Sequence, residues 1–174
     1  IINIGGNIIV DQDYLSQFLK LFAQLEGRKI LVHGGGKRAT DLGKRLGIES
    51  KMVEGRRITD AKSLELVVMV YAGLVNKKIV AQLQANNSNA IGLSGADANT
   101  VIAVKRPVNT LDFGIVGDIV DVNAGSISVL LNAEFVPVFC ALTHDTNGQL
   151  FNTNADTSAS EVAIAMSQAY DTTL

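Results

Sequence analysis

Apolar residues fall in short blocks separated by glycine and polar clusters, and the period inside the blocks changes along the chain. Ile1-Ile2-Asn3-Ile4 is a brief apolar run closed by Gly5-Gly6, the pattern of a short buried strand. From Asp11 to Leu25 the apolar positions Tyr14, Leu15, Phe18, Leu19, Phe22 and Leu25 recur at helical spacing, with Asp11 or Asp13 placed to cap the helix and Gly27 to end it. Lys29-Ile30-Leu31-Val32 predicts a second strand. Gly34-Gly35-Gly36 follows, then a helix from about Lys37 to Leu46, stopped by Gly47.

Lys51-Met52-Val53 and Arg56-Arg57-Ile58 flank Glu54-Gly55, which reads as a hairpin turn. Thr59 and Asp60 then open a long helix reaching roughly Gln84. Its middle, Leu66 to Val75, is apolar nearly all round, and such a helix is expected to be covered on every face. One side can pack on a sheet. The other is either a dimer contact or is buried inside a single complete domain. Ala90 to Leu93, Val101 to Val104, Ile115 to Val122 and Val136 to Phe139 predict further strands, and Asn123 to Asn132 and Asp156 to Ala169 further helices. Strands alternating with helices imply an α/β layered fold with a largely parallel sheet.

The composition agrees with a folded domain. The 174 residues are 47% hydrophobic and 18% charged. A net charge of −2, from 15 basic and 17 acidic residues, gives no reason to expect nucleic acid or a membrane as partner. The one cysteine, Cys140, lies in an apolar run and reads as a buried thiol, which suits a reducing cytoplasm. The run from Leu66 to Val75 is too short to span a bilayer. Because the chain opens on Ile1 in mid-strand, it reads as a piece of a longer protein.

Two glycine clusters, Gly5-Gly6 and Gly34-Gly35-Gly36, each follow a buried strand, and the second leads into a helix. Glycine permits close backbone approach, and a helix start exposes unpaired N–H groups, so such a loop suits phosphate or carboxylate. Neither a Walker sequence nor Gly-x-Gly-x-x-Gly is present. Arg56 and Arg57 could grip a carboxylate, or could be an exposed basic pair on a hairpin. Asn152 and Asn154 offer amides to a polar ligand. Asp156 could cap the last helix or could position cationic groups around a phosphoryl group. His33 and His144 read as structural, and no cysteine or histidine cluster suggests a metal site.

These segments together resemble the N-acetylglutamate kinases, a branch of the amino-acid kinase family, with a Bacteroides-like flavour. The resemblance rests on Ile4-Gly5-Gly6, Leu31 to Gly36, Gly55-Arg56-Arg57-Ile58-Thr59, Gly92 to Asp97, Val116-Gly117-Asp118 and Asn152 to Asp156, in order along the chain. It implies a three-layer αβα sandwich. It also implies transfer of a phosphoryl group from ATP, carried with Mg2+, to the side-chain carboxylate of N-acetylglutamate or N-succinylglutamate in arginine biosynthesis. By the same resemblance Gly35, Gly36, Arg57 and Asn152 bind the acylglutamate, while Gly5, Gly6 and Gly34 line the phosphate side. Asp156 organises catalytic lysines, and the 51–59 hairpin forms a lid. A cytoplasmic homodimer through the helix around residues 60–84 is expected.

Two departures bear on that expectation. The family carries a lysine where this sequence has Asn3, which keeps a donor but loses the positive charge. The family also continues into an ATP-binding C-terminal lobe, so residues 1–174 are expected to be the acylglutamate-binding N-terminal lobe, inactive toward ATP alone. Other readings are a non-catalytic acylglutamate-binding module, the kinase-like regulatory domain of an acetylglutamate synthase, or a kinase for carbamate, aspartate or an aminoadipate derivative.

Overall fold

The computed structural model describes residues 1–49, 51–53 and 56–174. Its centre is a four-stranded parallel sheet in the order β1 (Ile2–Ile4), β2 (Leu31–His33), β8 (Val136–Cys140), β5 (Ala90–Leu93). Every strand is short and covered on both faces, so each reads as an apolar run and not as an alternation.

The period-two pleat sends neighbouring residues to opposite layers. Ile4, Leu31 and Val138 join one core with α1 (Gly6–Val10), α2 (Gln12–Gln24), α3 (Gly36–Arg45) and the long helical stretch after them. Ile30, Val32 and Phe139 join a second core with α6 (Ala124–Asn132) and α7 (Ala155–Met166). The result is the helix–sheet–helix layering expected from the sequence.

Local signals hold at the helix starts. The Asp11 carboxylate accepts from the N–H groups of Asp13 and Tyr14 at 3.0 and 3.1 Å and caps α2. Asp60 caps α4 (Ala61–Val68) through the Ser63 N–H at 2.8 Å. On α2 only Leu15, Leu19 and Phe22 are buried. Tyr14 and Leu25, expected on the same apolar face, are exposed. The last helix is capped by Asn154, which accepts from the Thr157 N–H at 2.9 Å, and Asp156 is left free for another partner.

Four features differ from the sequence expectation. A five-residue helix, α1, follows Gly5 directly. The long helix changes pitch, running as α4, a π-helical segment Met69–Val75, and α5 (Asn76–Ala85). It is also not covered on every face, since Met69 is 55% and Leu74 43% exposed. Beside the parallel sheet stands a second sheet, ordered β10 (Leu150–Asn152), β9 (Leu142–His144), β6 (Val101–Lys105), β7 (Gly117–Val122). Its β9–β10 and β6–β7 pairs are antiparallel.

The expected hairpin forms from β3 (Lys51–Val53) and β4 (Arg56–Ile58), with Met52 opposite Arg57. Its turn, assigned to Glu54 and Gly55, lies outside the described residues. The segment after Asp112 ties this hairpin to the second sheet. The Thr59 N–H donates to the Phe113 carbonyl, the Ile115 N–H to the Thr59 carbonyl, and the Asn152 N–H to the Ile115 carbonyl, at 2.9, 2.7 and 3.2 Å. No helix among the described residues is long and apolar enough to cross a membrane.

Candidate functional site

Parallel strands end on one edge of their sheet, and the crevice outside those ends is where α/β folds place ligands. Here β2 and β8 are neighbours. The chain leaves β2 toward the first helical layer, while the segment after β8 leads through β9 and β10 to α7 in the other. The gap between them opens into a cavity of about 480 Å³. Asn3, Gly5, Gly6, Gly34, Gly35, Gly36, Arg57, Asn152 and Asp156, all singled out from the sequence, line this one cavity.

Gly34 and Gly35 close the end of β2, and Gly36 opens α3. A Cβ on Gly35 would lie 2.6 Å from Tyr71 Cδ1, so the loop rests directly on the Tyr71 ring and no larger residue fits. Burial pushes the Tyr71 hydroxyl pKa up. The neighbouring Arg57 guanidinium, which hydrogen-bonds that hydroxyl, opposes the rise.

Arg56 and Arg57 both line the cavity but differ in burial. Arg56 is exposed, while Arg57 is only 5% exposed. Arg57 Nη2 donates to the Gly36 carbonyl at 2.9 Å and to Thr40 Oγ1 at 2.8 Å, which binds the hairpin to the first turn of α3. Thr40 Oγ1 itself donates to the Gly36 carbonyl at 2.9 Å. The guanidinium therefore sits beside the glycine loop, with neutral oxygens as these acceptors.

Asn152, 8% exposed, donates from Nδ2 to Thr59 Oγ1 at 3.0 Å. Its Oδ1 is buried with no hydrogen-bond partner among the described residues. A buried carbonyl oxygen without a donor costs about 1–3 kcal/mol, so it is normally matched by a bound group. Asn3, which also lines the cavity, donates from Nδ2 to Asp156 Oδ1 at 2.5 Å, and its Oδ1 is likewise buried without a partner among the described residues. The Asp156 carboxylate stands in the first turn of α7, where the helix dipole favours it.

Sequence reasoning did not find Lys37, Thr40, Tyr71, Arg106 or Phe113, which line the same cavity. Tyr71 carried a signal, as the one side chain with a polar tip in the run Leu66 to Val75. Arg106 gave none. It reaches the site because its guanidinium is held by Asp118 Oδ1, at 2.8 Å from Nε and 2.6 Å from Nη2, and lies 5.7 Å from the centre of the Phe113 ring.

Residues 1–169 match the model of the amino acid kinase family. The chain belongs to that family. Among curated relatives it is 56% identical over 174 residues to an acetylglutamate kinase of Phocaeicola vulgatus, covering all of this chain and 68% of the relative. It is 53% identical over 174 residues to an acetylglutamate kinase of Bacteroides thetaiotaomicron, again with all of this chain and 68% of the relative covered. A solved structure from Streptococcus mutans UA159, smu.665, superposes with a TM-score of 0.79 at 26% identity, covering 95% of this chain and 67% of that one. The amino acid kinase chain described here thus spans about two thirds of the length of these relatives.

Proposed function

We propose that these residues form the acylglutamate side of a kinase that phosphorylates the side-chain carboxylate of N-acetylglutamate or N-succinylglutamate, a step toward arginine. The unmatched Asn152 Oδ1 carries the reading, since an N-acyl amino acid offers an amide N–H where a free amino acid has a charged ammonium group. Arg57 would take the α-carboxylate. The glycine loop and the start of α3 would take the side-chain carboxylate and the phosphoryl group arriving on it. Relatives named acetylglutamate kinase agree with this substrate.

In the reaction an oxygen of the side-chain carboxylate attacks the γ-phosphorus of ATP. The bond from that phosphorus to the bridging oxygen breaks, and ADP leaves with the electron pair. The product is an acyl phosphate. The protein's work is positioning and charge stabilisation. Gly5 and Gly6 would flank the incoming phosphoryl group, and Asp156 would orient cationic groups around it. Magnesium would arrive with the nucleotide. An ATP-binding half would supply the nucleotide, and the β3–β4 hairpin would serve as lid. The exposed Met69, Gly73 and Leu74 within the apolar helical run from Leu66 to Val75 fit a homodimer contact. A cytoplasmic location agrees with a free, buried cysteine.

A second reading is favoured by one contact. Asp156 is held by the neutral Asn3, where the family's lysine would bring a charge. A non-catalytic acylglutamate-binding module would keep Arg57 and Asn152 and tolerate this change. Calorimetric titration with N-acetylglutamate, N-succinylglutamate and free glutamate tests the shared substrate. The acylated ligands should bind, glutamate should bind more weakly, and Arg57→Ala should weaken acylglutamate binding about 10- to 100-fold, the worth of a charge-assisted contact. Equal binding of glutamate, or no effect of Arg57→Ala, would sink the assignment.

A further inference from the structure

His33 begins the glycine loop and is fully buried, and no part of substrate binding falls to it. Its two ring nitrogens have different partners. Nδ1 lies 2.7 Å from the Gly34 carbonyl oxygen, which can only accept, so Nδ1 carries the proton. Nε2 lies 3.0 Å from Asn76 Nδ2. The orientation of that amide is fixed independently. The same Nδ2 donates to the Val138 carbonyl at 2.9 Å, and Asn76 Oδ1 accepts from Lys77 Nζ at 3.1 Å. A reversed amide would set oxygen against oxygen at Val138. Asn76 therefore donates, and Nε2 must accept.

The surroundings are shaped for this pair. A Cβ on Gly92 would lie 1.8 Å from Asn76 Oδ1, so the neighbouring strand keeps glycine there to admit the amide. Asn76 follows the π-helical segment at once, and Tyr71 lies within it. Residues five apart in an α-helix stand roughly 140° apart around the axis. The wider π turn brings them closer, so Tyr71 reaches Gly35 while Asn76 reaches His33.

The consequence for the loop follows from peptide geometry. No cis peptide bond occurs among the described residues, and in a trans peptide the carbonyl of one residue and the N–H of the next point in opposite directions. With the Gly34 carbonyl drawn inward to His33, the Gly35 N–H faces away from the buried ring, on the side of the cavity that both glycines line.

We infer that His33 is a positioning residue: locked in its Nδ1–H tautomer by Asn76, it pins the Gly34 carbonyl and so aims the Gly35 N–H at the anion bound in the cavity. The inference rests on the acylglutamate reading only for which anion the loop holds.

The test uses the whole chain and the two amides that imitate one imidazole nitrogen each. Asparagine at 33 places its amide nitrogen near the Nδ1 position and can still donate to Gly34. Glutamine reaches the Nε2 position and cannot. Nitrogen-15 NMR of the unaltered protein should find the ring protonated on Nδ1 alone at neutral pH. In His33→Asn the Gly35 amide resonance should stay near its original place, with the dissociation constant for N-acetylglutamate within about threefold. In His33→Gln that resonance should move, and binding should weaken about tenfold or more, as expected for one lost buried hydrogen bond. A proton on Nε2, or equal effects of the two variants on the Gly35 amide, would overturn the inference. Should the unaltered chain bind no acylglutamate, the substrate assignment fails, and the tautomer and the Gly35 resonance still decide the role of His33. The tautomer is read without any variant, so a variant that does not fold leaves the inference exposed to refutation.

Discussion

Lowering the pH should cost this protein stability through His33. Burial is the main cause that depresses its pKa, from 6.5 to about 4, with the Gly34 carbonyl opposing the shift and the Lys77 charge adding to it. The neutral ring is thus the form the fold accepts. Above pH 6.5 the ring is neutral in both folded and unfolded chains and the contribution is complete. As pH falls from 6.5 toward 4, the unfolded chain takes up a proton that the folded one refuses, and stability declines. The gap between the two pKa values corresponds to roughly 3 kcal/mol in full and about 2 kcal/mol by pH 5. Urea unfolding of the unaltered protein and of His33→Asn, from pH 7.5 to 5, isolates this share, because every other titrating group is common to both. The unaltered protein should lose about 2 kcal/mol more than the variant over that range. Parallel losses would refute the argument, since they would mean that His33 protonates in the fold as readily as in the open chain.

Gly92→Ala should reproduce the loss of Asn76, because the new methyl group would collide with its Oδ1. A destabilisation of about 1–3 kcal/mol by thermal or urea unfolding is expected, and an unchanged midpoint would contradict the close approach. Cys140 is buried and its thiol pKa is pushed up to about 12, chiefly by burial, so iodoacetamide should label it only in denaturant; rapid labelling of the native chain at pH 8 would count against this. Asn3→Lys would face Asp156 with a charge. In a protein joining these residues to a nucleotide-binding half, ADP release should rise on the order of a hundredfold if charge at this point limits transfer, and an unchanged rate would favour another cation. Asp118→Asn should cost no more than about 1 kcal/mol, because the Arg106–Asp118 pair is partly exposed.

Much of this architecture is written in local spacing. The period of Leu15, Leu19 and Phe22 makes α2, Asp11 and Asp60 cap the helices that follow them, and glycine marks the loop after His33. Such signals act between residues a few positions apart and survive in the bare sequence. The layers also follow, because short apolar strands between helices must be covered on both faces. The second sheet was less legible. Strands β9 and β10 have three residues each, too few to display a period, and α1 has only five.

The roles of the site residues depended on distant partners. Arg56 and Arg57 look alike in the bare sequence, and only the packing of the hairpin on α3 decides that Arg57 is the buried one. Asn3 meets Asp156 across 153 positions, and Asn152 meets Thr59 across 93. His33 looked structural from its surroundings in the chain. Its bond to Asn76, 43 positions away, fixes the tautomer and with it the direction of the loop. Hydrogen bonds of this kind exist only after the sheet has ordered its strands, because their geometry depends on which layers the folded chain brings together.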